Sequence, residues 1–452
     1  MRVERDLAGV PGRRRVAVIG AGISGLSAAW LISKNHDVVL YEAADRPGGH
    51  ANTVTVSTPS GPLGVDTGFI VYNDRNYPNL VELFDHLKVP TQMSDMSFAA
   101  SLDSGSFEYC GSGLRGLFGQ PRNALRPRFW RMLSDTLRFY REAPSALARS
   151  DLSSATLGDY LDDNGYCTAF VTDHLLPMGA AIWSTTARRI REYPLHAFIR
   201  FFESHGLLAL SDRPRWRTVT GGSREYVRRL LGDFAGELRV LSAVMDVRRE
   251  LGIVSVTDWR GNHDTFTDVV IATHADCALR MLTDADEEER RLLGAIRYTP
   301  NRAVLHSDER LMPRRRSVWA SWNYIGETDG DGERPLCVTY WMNRLQAIDT
   351  ATPLFVTLNP HRTIAEGRII AEFDYEHPLF DQAALSAQKP LWQLQGRGGV
   401  WFCGAHFGSG FHEDGLQSGL AIAEAIGGQH RPWTIEGQSA RLPSNAALVV
   451  AR

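Results

Sequence analysis

The apolar residues near the N-terminus form a short run, then a helical repeat, then a second short run. Arg15 to Ile19 (RVAVI) follows a Pro-Gly break and is typical of a buried parallel strand. Residues 26–35 (LSAAWLISKN) have the spacing of a helix, and Val38 to Tyr41 is a second apolar run. The order strand, helix, strand predicts the first βαβ unit of a parallel sheet.

Glycines occupy the turn between the first strand and the helix. Gly20 permits the tight turn, Gly22 lets the backbone approach a pyrophosphate, and Gly25 lets the helix pack on the strand. The helix N-terminus adds N–H donors and positive dipole for the phosphates. A lone GxGxxG is weak, but here a strand precedes it and a helix follows. The predicted pyrophosphate contacts are Gly20, Gly22, Ile23, Ser24 and Gly25.

An acidic residue ends the second predicted strand. Glu42, followed by Ala43, stands where a carboxylate accepts hydrogen bonds from an adenosine ribose. The acid also disfavours a 2′-phosphate, so FAD or NAD is preferred over NADP.

The next segment separates FAD from NAD. Arg46-Pro-Gly48-Gly49-His50 follows the acid, and Val65-Asp-Thr-Gly68-Phe69 comes soon after. The sequence here resembles the flavin-containing amine oxidase superfamily, which extends the dinucleotide motif with E-x(3)-R-x-G-G-[R/H]. The resemblance implies FAD, whose pyrophosphate and ribityl chain would pass these glycines. The contacts that it implies are Arg46, Gly48, Gly49, His50, Gly68 and Phe69.

Three later segments also resemble the flavin-containing amine oxidase superfamily. Thr218 to Ser223 (TVTGGS) resembles the family's double-glycine return into the cofactor domain. Leu241 to Arg248 and Asp268 to Thr273 are expected to be strands of that domain, and each alone is only a short apolar run. The resemblance implies backbone contacts at Val244 and Ala272.

The C-terminal region carries a more specific signature. Val400 to Gly404 is a predicted strand ending in glycine, and residues 414–423 (DGLQSGLAIA) open a predicted helix. In the family this helix N-terminus faces the flavin ring. The implied contacts are Gly404, Asp414, Gly415 and Leu416. Ala405 departs from the family pattern, because many relatives have Glu or Asp there, so one side-chain contact is in doubt.

A narrower resemblance runs through the middle and the end of the chain. Residues 178–184 (MGAAIWS), 201–208 (FFESHGLL), 213–216 (RPRW) and 410–416 (GFHEDGL) resemble NAD/FAD-binding oxidoreductases related to the N-terminal domain of plant cyclopropane fatty acid synthases. The resemblance covers residues 14–428, and its last segment is the most specific. It suggests a fatty-acyl substrate.

The predicted fold is α/β, with a Rossmann-like, GR2-type FAD-binding domain and an interleaved α+β substrate domain, as in flavin amine oxidases. A chain of 452 residues is long enough for two domains. The predicted limits are 1–75, 218–275 and 395–430 for the FAD-binding domain, 76–217 and 276–394 for the substrate domain, and 431–452 for a C-terminal tail.

The composition of the chain argues against several other classes of protein. The net charge of −3 gives no indication of a nucleic-acid partner, and no run of 18 apolar residues predicts a membrane span. Five scattered cysteines form no CxxC pair, so neither a metal site nor a disulfide framework is expected. Because residues 1–15 contain no apolar signal segment, we expect a cytoplasmic protein that can also contact a membrane surface peripherally.

Candidate catalytic residues lie beside the predicted cofactor. A flavin carries the redox chemistry, so the protein must orient the substrate, exclude water and move at most one proton. His412 and Glu413 directly precede the flavin-facing segment, and the histidine could shuttle a proton or only orient its loop. Trp183, Tyr340 and Trp341 could line an apolar channel or simply pack in the core.

Lysines are scarce, which weakens the prediction of ordinary amine oxidation. Many amine-oxidising relatives place a lysine near the flavin, whereas Lys34, Lys88 and Lys389 are the only lysines of this chain. None of them falls in a segment that is expected to reach the ring.

The segment Leu114 to Arg141 interleaves arginines with Leu, Phe, Trp and Tyr and has Asp135 as its only acid. It predicts peripheral contact with an anionic membrane or with an acidic acyl carrier. The alternative is a solvated helix that packs through its apolar face.

Three functions remain open from the sequence. The first is an FAD-dependent oxidoreductase that dehydrogenates or isomerises a hydrophobic, fatty-acyl or isoprenoid substrate. The second is an oxidase of amines or amino acids. The third is a flavin-binding accessory of a lipid-modifying enzyme, without turnover of its own.

Overall fold

The strand, helix and strand predicted at the N-terminus form as expected and build the centre of a parallel sheet. The computed structural model describes residues 12–59, 61–328 and 334–443. Predictions that involve residues 1–11 and 444–452, namely the start of the FAD-binding domain, most of the N-terminal segment expected to lack a signal, and the end of the C-terminal tail, lie outside the described residues.

The described strands are numbered in chain order. They are β1 (Arg15–Ile19), β2 (Asp37–Tyr41), β3 (Thr53–Thr58), β4 (Gly61–Asp66), β5 (Tyr72–Asn73), β6 (Thr91–Met93), β7 (Phe98–Leu102), β8 (Phe107–Cys110), β9 (Trp216–Val219), β10 (Glu237–Arg239), β11 (Val244–Glu250), β12 (Ile253–Asp258), β13 (His263–Phe266), β14 (Asp268–Ile271), β15 (Arg297–His306), β16 (Trp322–Gly326), β17 (Val338–Trp341), β18 (Phe355–Leu358), β19 (Ile369–Leu379) and β20 (Val400–Phe402).

The described α-helices are numbered in the same way. They are α1 (Ile23–Ile32), α2 (Pro78–His86), α3 (Gly113–Leu117), α4 (Pro127–Ala146), α5 (Leu157–Asp163), α6 (Thr168–Phe170), α7 (Leu176–Trp183), α8 (Ala187–Arg191), α9 (Leu195–Ser204), α10 (Arg224–Gly232), α11 (Ala275–Met281), α12 (Glu287–Gly294), α13 (Met342–Leu345), α14 (Gln382–Trp392) and α15 (His412–Ile426).

The first sheet brings together segments that are far apart in sequence. Its five strands are parallel, in the order β10-β2-β1-β14-β20. The carboxyl ends of β1, β14 and β20 therefore lie at one edge, where ligands bind in open α/β sheets. This sheet, with α1 and α15, forms the larger of the hydrophobic cores.

One predicted strand is corrected. Residues 241–248 were expected to form a strand of the cofactor domain, but the strand begins only at Val244 and pairs antiparallel with β12 in a three-stranded sheet that packs in the same hydrophobic core as the parallel sheet. Leu241 has φ +51°, a left-handed conformation that ends β-structure, so it lies in the turn before the strand.

The second large sheet belongs to the other half of the molecule. Its order is β19-β15-β18-β17-β16-β7-β8, and only the β16–β7 pair is parallel. Helices α4, α7 and α9 pack with this sheet in a separate hydrophobic core. The strands come from residues 98–110 and 297–379, so the half is assembled from two chain segments. The exact domain limits stay a prediction.

Glycines set the distance between α1 and α15. A Cβ at Gly415 would lie 2.7 Å from Ser24 Oγ, and one at Gly419 would overlap the Ser24 carbonyl oxygen. Both helices are almost entirely buried. Only glycine allows this close crossing, which fixes the N-terminus of α15 beside that of α1.

Among the described residues, no helix has the length and apolar character that a membrane crossing requires.

Candidate cofactor and substrate site

The turn after β1 forms an open cradle at the N-terminus of α1. Gly20 has φ +101° and donates its N–H to the Tyr41 carbonyl at 2.8 Å. A Cβ at Gly25 would overlap the Gly20 carbonyl oxygen, whereas a Cβ at Gly22 would meet nothing within 4 Å. Gly22 therefore faces free space at the positive end of α1, where a phosphate group fits. Gly20, Gly22, Ile23 and Ser24 line the same cavity.

Glu42 lies at the rim of this cradle. Its carboxylate accepts hydrogen bonds from Ala21 N (2.8 Å) and Ala44 N (2.9 Å), so both oxygens are oriented by backbone. The side chain lines the cavity and the neighbouring Ala43 is exposed. The remaining lone pairs of the carboxylate can accept hydroxyl donors, as a ribose contact requires.

The double-glycine turn closes over the cradle. Gly48 donates its N–H to the Ala21 carbonyl at 2.7 Å, and a Cβ at Gly49 would lie 3.1 Å from Gly22 Cα. The Arg46 guanidinium donates to the Gly49 carbonyl at 3.0 Å. Arg46 thus holds the turn, while Gly49 and His50 line the cavity.

Two backbone positions that follow other strands contribute to the floor of the cofactor half. Ala272 follows β14 and Gly404 follows β20, and both line the cavity. Val244 begins β11 and is buried, and a contact from its backbone to a cofactor stays a prediction. Gly68 and Phe69 also line the cavity, and a Cβ at Gly68 would overlap the His50 carbonyl oxygen.

The N-terminus of α15 reaches the cavity through its first residues. The helix was expected to open at Asp414 but begins at His412. The Asp414 carboxylate accepts from the Phe411 N–H (2.8 Å) and the Ser409 N–H (3.1 Å), and Leu416 is buried in the core. A cofactor contact from Asp414, Gly415 or Leu416 would therefore come from backbone N–H groups and stays a prediction.

The prediction of a catalytic role for Glu413 is wrong. Its carboxylate points away from the cavity and accepts from the backbone N–H groups of Asn79 and Leu80, each at 3.0 Å, at the start of α2. The Gln417 amide also donates to it. Burial raises the pKa of this carboxyl. Glu413 holds α2 against α15 and does not touch the cavity.

His412 points the other way. Its ring stacks on Phe69 with 3.7 Å between centroids, and its Nε2 lies 3.0 Å from the Tyr226 hydroxyl oxygen. Burial lowers the pKa of His412 to about 3, so the imidazole is neutral at pH 7. A neutral, oriented imidazole beside the cradle fits either proposed role, positioning or proton transfer.

The cavity itself runs from Glu42 past the glycine turns into the second half of the molecule. Its volume is about 1020 Å³, at the upper end of the range for small-molecule sites. Trp183 and Tyr340 line its far part, as predicted for an apolar channel. Trp341 does not, because its ring packs against Trp319 (5.4 Å between centroids), and that prediction is corrected.

Several polar side chains that the sequence did not single out also line the cavity. In the cofactor half the atoms without a hydrogen-bond partner among the described residues are His50 Nε2 and His406 Nε2. In the substrate half they are His174 Nε2, Trp183 Nε1, His205 Nε2 and Trp322 Nε1. Buried polar atoms are normally satisfied, so these six atoms can hydrogen-bond to a ligand or to water in the cavity. Apart from His50, Trp183 and His205, which lie in segments already named from the sequence, they occur singly and match no motif.

His406 directly follows Ala405, the position at which many members of the family have an acid. The His406 ring is buried directly beside Gly404, and its Nδ1 lies 3.5 Å from the Tyr298 hydroxyl oxygen. Its Nε2 is one of the unpartnered atoms. His406 can therefore supply a polar contact at the place where the alanine cannot.

His274, Asp276 and Cys277 bring three potential metal-ligating atoms within 4.8 Å of one another. Arg280 pairs with Asp276 at 2.6 Å and reaches the Cys277 sulfur at 2.9 Å. The guanidinium already supplies the positive charge of this cluster, so we assign no metal to it.

All three lysines are among the described residues, and none lines the cavity. Lys34 pairs with Asp233 at 2.8 Å, Lys88 follows α2, and Lys389 lies in α14. That no lysine lies near the flavin ring stays a prediction, because the position of the ring is itself predicted.

The fold and the cradle define a protein with a Rossmann-like dinucleotide-binding domain, and residues 18–87 match the family model described as NAD(P)-binding Rossmann-like domain. The whole fold is that of the flavin amine oxidases.

Cyclohexylamine oxidase from Brevibacterium oxydans IH-35A superposes with a TM-score of 0.63 at 16% identity, over 92% of this chain and 100% of that one. The conjugated-linoleic-acid-producing fatty acid isomerase from P. acnes also gives 0.63 at 16%, over 93% and 99%. The L-amino acid oxidase of Cerastes cerastes is 51% identical over 41 residues, which is 9% of this chain and 8% of that protein.

Proposed function

We propose that the chain is an FAD-dependent oxidoreductase that acts on a hydrophobic, fatty-acyl substrate. The observation that carries this proposal is the single cavity that joins the dinucleotide cradle at Gly22 to a chamber lined by Trp183, Phe201 and Tyr340. A cofactor and an apolar chain would share one enclosed space, as transfer of hydride between them requires.

FAD fits the cofactor half better than a nicotinamide dinucleotide does. The cavity continues beyond the phosphate cradle past Gly49 and Gly404 to the N-terminus of α15. N–H groups at a helix N-terminus favour negative charge, which the reduced flavin ring carries. When bound there, FAD would supply the redox chemistry by accepting a hydride.

The chain's own residues exclude water and orient the substrate. His412 is neutral and fixed by Tyr226, so it can hold or move a proton without adding charge to the chamber. His174 and His205 are also buried, and desolvation lowers their pKa values to about 4 and about 3. These histidines therefore add no charge to the chamber at neutral pH, which suits an apolar chain with a few polar contacts.

The acids of the cavity argue against a cationic amine as substrate. Only Glu42, Asp95 and Glu376 contribute carboxylates to its described lining. Asp95 is paired with Arg344 at 2.9 Å and accepts from Ser321 Oγ at 2.7 Å. Glu376 lies near His274 in the cofactor half. An ammonium group in the chamber would have no free counter-ion, and burying it would be costly.

The experiment is anaerobic incubation of the FAD-loaded protein with unsaturated and saturated fatty acids, followed by absorbance and product analysis. Lasting bleaching of the flavin with a new double bond indicates dehydrogenation. Double-bond migration without lasting bleaching indicates isomerisation, because the hydride is returned. Peroxide production with small amines but no reaction with lipids would replace this proposal with an amine or amino-acid oxidase.

A flavin-binding accessory of a lipid-modifying enzyme is the remaining alternative. It predicts that FAD stays oxidised with every lipid tested, while the chain co-purifies with a lipid methyltransferase. The resemblance to the plant cyclopropane fatty acid synthase domain motivates both this alternative and the choice of fatty-acyl substrates.

A further inference from the structure

The far end of the cavity opens among exposed apolar side chains. Leu137 on α4 and Leu210 after α9 line the cavity, yet they are 53% and 73% exposed. Leu133, Thr136 and Tyr140 complete the same face of α4 at helical spacing and also line the cavity. One helix face therefore forms the wall of the cavity and part of the outer surface.

The exposed apolar surface continues along the preceding segment. Leu114, Leu125 and Trp130 are 74%, 86% and 51% exposed. The Trp130 indole donates to the Ala124 carbonyl at 2.9 Å, and its ring lies 5.9 Å from that of Phe118. These contacts join the loop before α4 to the helix. We call Leu114, Leu125, Trp130, Leu137 and Leu210 the entrance surface.

Unpaired arginines lie close in sequence to residues of the entrance surface. Arg115, Arg122 and Arg131 are exposed and form no ion pair or side-chain hydrogen bond with any described residue. Asp135 is the only acid between residues 114 and 141, and it is engaged by the Cys167 N–H at 2.7 Å. The positive charge is therefore free to attract an anionic surface.

We propose that the entrance surface rests on an anionic lipid bilayer and that the cavity opens into it. The leucines and Trp130 would insert at the headgroup and acyl boundary, and the arginines would contact lipid phosphates. A hydrophobic substrate would then reach the chamber without crossing water. The identity of the substrate depends on the proposed function, whereas the binding of the bilayer does not.

An acidic acyl carrier protein is the other partner that positive charge could recruit. Its docking needs cationic side chains around the opening but does not need five large apolar side chains exposed to water. Clusters of that kind mark sites that become buried. The apolar part of the entrance surface thus favours lipid over a soluble acidic protein.

The test is flotation of the full FAD-loaded chain with vesicles of phosphatidylcholine, with and without phosphatidylglycerol, at low and raised salt. We expect flotation only with phosphatidylglycerol and weaker flotation at raised salt. The variant carries Leu114→Ser, Leu125→Ser, Arg122→Gln and Arg131→Gln, none of which lines the cavity. Removing one arginine from an anionic surface weakens the binding constant roughly fivefold. The removal of two arginines should therefore weaken binding to the vesicles about twentyfold or more.

A matched control carries the same number of apolar and charge changes elsewhere. Met245→Ser, Leu251→Ser, Arg290→Gln and Arg291→Gln alter exposed positions on β11, the following turn and α12. The control should float like the unchanged chain. Thermal unfolding and FAD content of both variants verify that each is folded.

Flotation that is equal with both vesicle types, absent with both, or reduced equally by the two variants would overturn the proposal. So would salt-sensitive capture by an acidic acyl carrier protein without any flotation. A chain that floats as expected but reduces no flavin with lipid would retain this inference and lose the proposed function.

Discussion

The two halves of the site use opposite means to form a binding surface. In the cofactor half, the important positions are glycines, and what matters is the side chain that they lack. Gly22 leaves space for a ligand, and Gly25 lets α1 pack against the strand turn. In the substrate half, Trp183, His205 and Trp322 contribute large side chains with unpartnered polar atoms. The cofactor half of the site is built mainly from backbone, and the substrate half is built mainly from side chains.

This difference decides how each half can be changed. A backbone cradle depends on a few residues at fixed spacing, so a single added methyl group can remove it. A side-chain chamber is assembled from many separate segments, and each contributes one contact of modest energy. We therefore expect large, all-or-none effects in the cofactor half and small, graded effects in the substrate half.

The largest effect should come from a pair of identical substitutions three residues apart. Gly25→Ala places a methyl group against the Gly20 carbonyl, so we expect a loss of about 3 kcal/mol or more in the free energy of unfolding. Gly22→Ala meets no described atom within 4 Å, so the apoprotein should keep its stability while FAD affinity falls. Urea unfolding and FAD titration measure both. Equal effects of the two substitutions on stability would contradict the cradle.

A second comparison uses two neighbours on opposite sides of α15. Glu413→Gln leaves the N–H groups of Asn79 and Leu80 with a weaker partner, so we expect a loss of about 2 kcal/mol in stability. The rate of flavin reduction in the folded fraction should not change. His412→Gln should show the reverse, with stability nearly kept and flavin reduction slowed. A slower rate of flavin reduction in the Glu413 variant would contradict this assignment and would indicate a catalytic role for Glu413.

The third prediction concerns pH. Burial lowers the pKa values of His205 and His406 to about 3, below the ordinary value of 6.5. Between these values the unfolded chain binds protons that the folded chain does not. Stability is therefore fully present above pH 6.5 and falls as pH decreases, by about 1.4 kcal/mol per pH unit for each histidine.

Single variants separate the contributions of the cofactor half and the substrate half to this pH dependence. His205→Gln and His406→Gln should each reduce the slope of unfolding free energy against pH in the apoprotein. Added FAD should change the contribution of His406, which lies beside Gly404, and leave that of His205 unchanged. A flat pH profile between 4 and 6.5 would show that these histidines are not neutral in the folded protein.

The smallest effect is expected in the substrate half. Trp183→Phe removes one unpartnered N–H and keeps an aromatic ring, so it should weaken substrate binding by about 1 kcal/mol, or roughly fivefold in KM. FAD affinity should stay the same. Trp341→Phe, outside the cavity, is the matched control and should leave KM unchanged. A change in FAD affinity in the Trp183 variant would mean that the halves are not separate.

The same difference explains what the sequence could predict. Strands β1, β2, β14 and β20 and the glycine turns were readable because a strand, a turn and a helix are adjacent in sequence and obey local stereochemistry. The start of β11 was predicted at Leu241 and lies at Val244, because an apolar run shows that a strand exists but neither where it begins nor which strand pairs with it.

The side-chain contacts were largely beyond prediction. Glu413 was assigned to catalysis because it neighbours His412 in sequence, but its partners lie on α2, more than 330 residues away. His174 and His406 each stand alone in the sequence, and His205 lies in the segment 201–208, which gave it no role. Their convergence depends on tertiary packing between distant segments, for which the sequence carries no local signal.

The most direct test of the central claim is the absorbance spectrum of the purified chain, followed by heat denaturation, filtration and titration of the apoprotein with FAD. The account predicts flavin absorption bands, release of FAD into the filtrate, and saturable rebinding that Gly22→Ala weakens. A colourless protein that takes up no added FAD would contradict it and would leave NAD binding at Gly20 to Glu42 as the function to test.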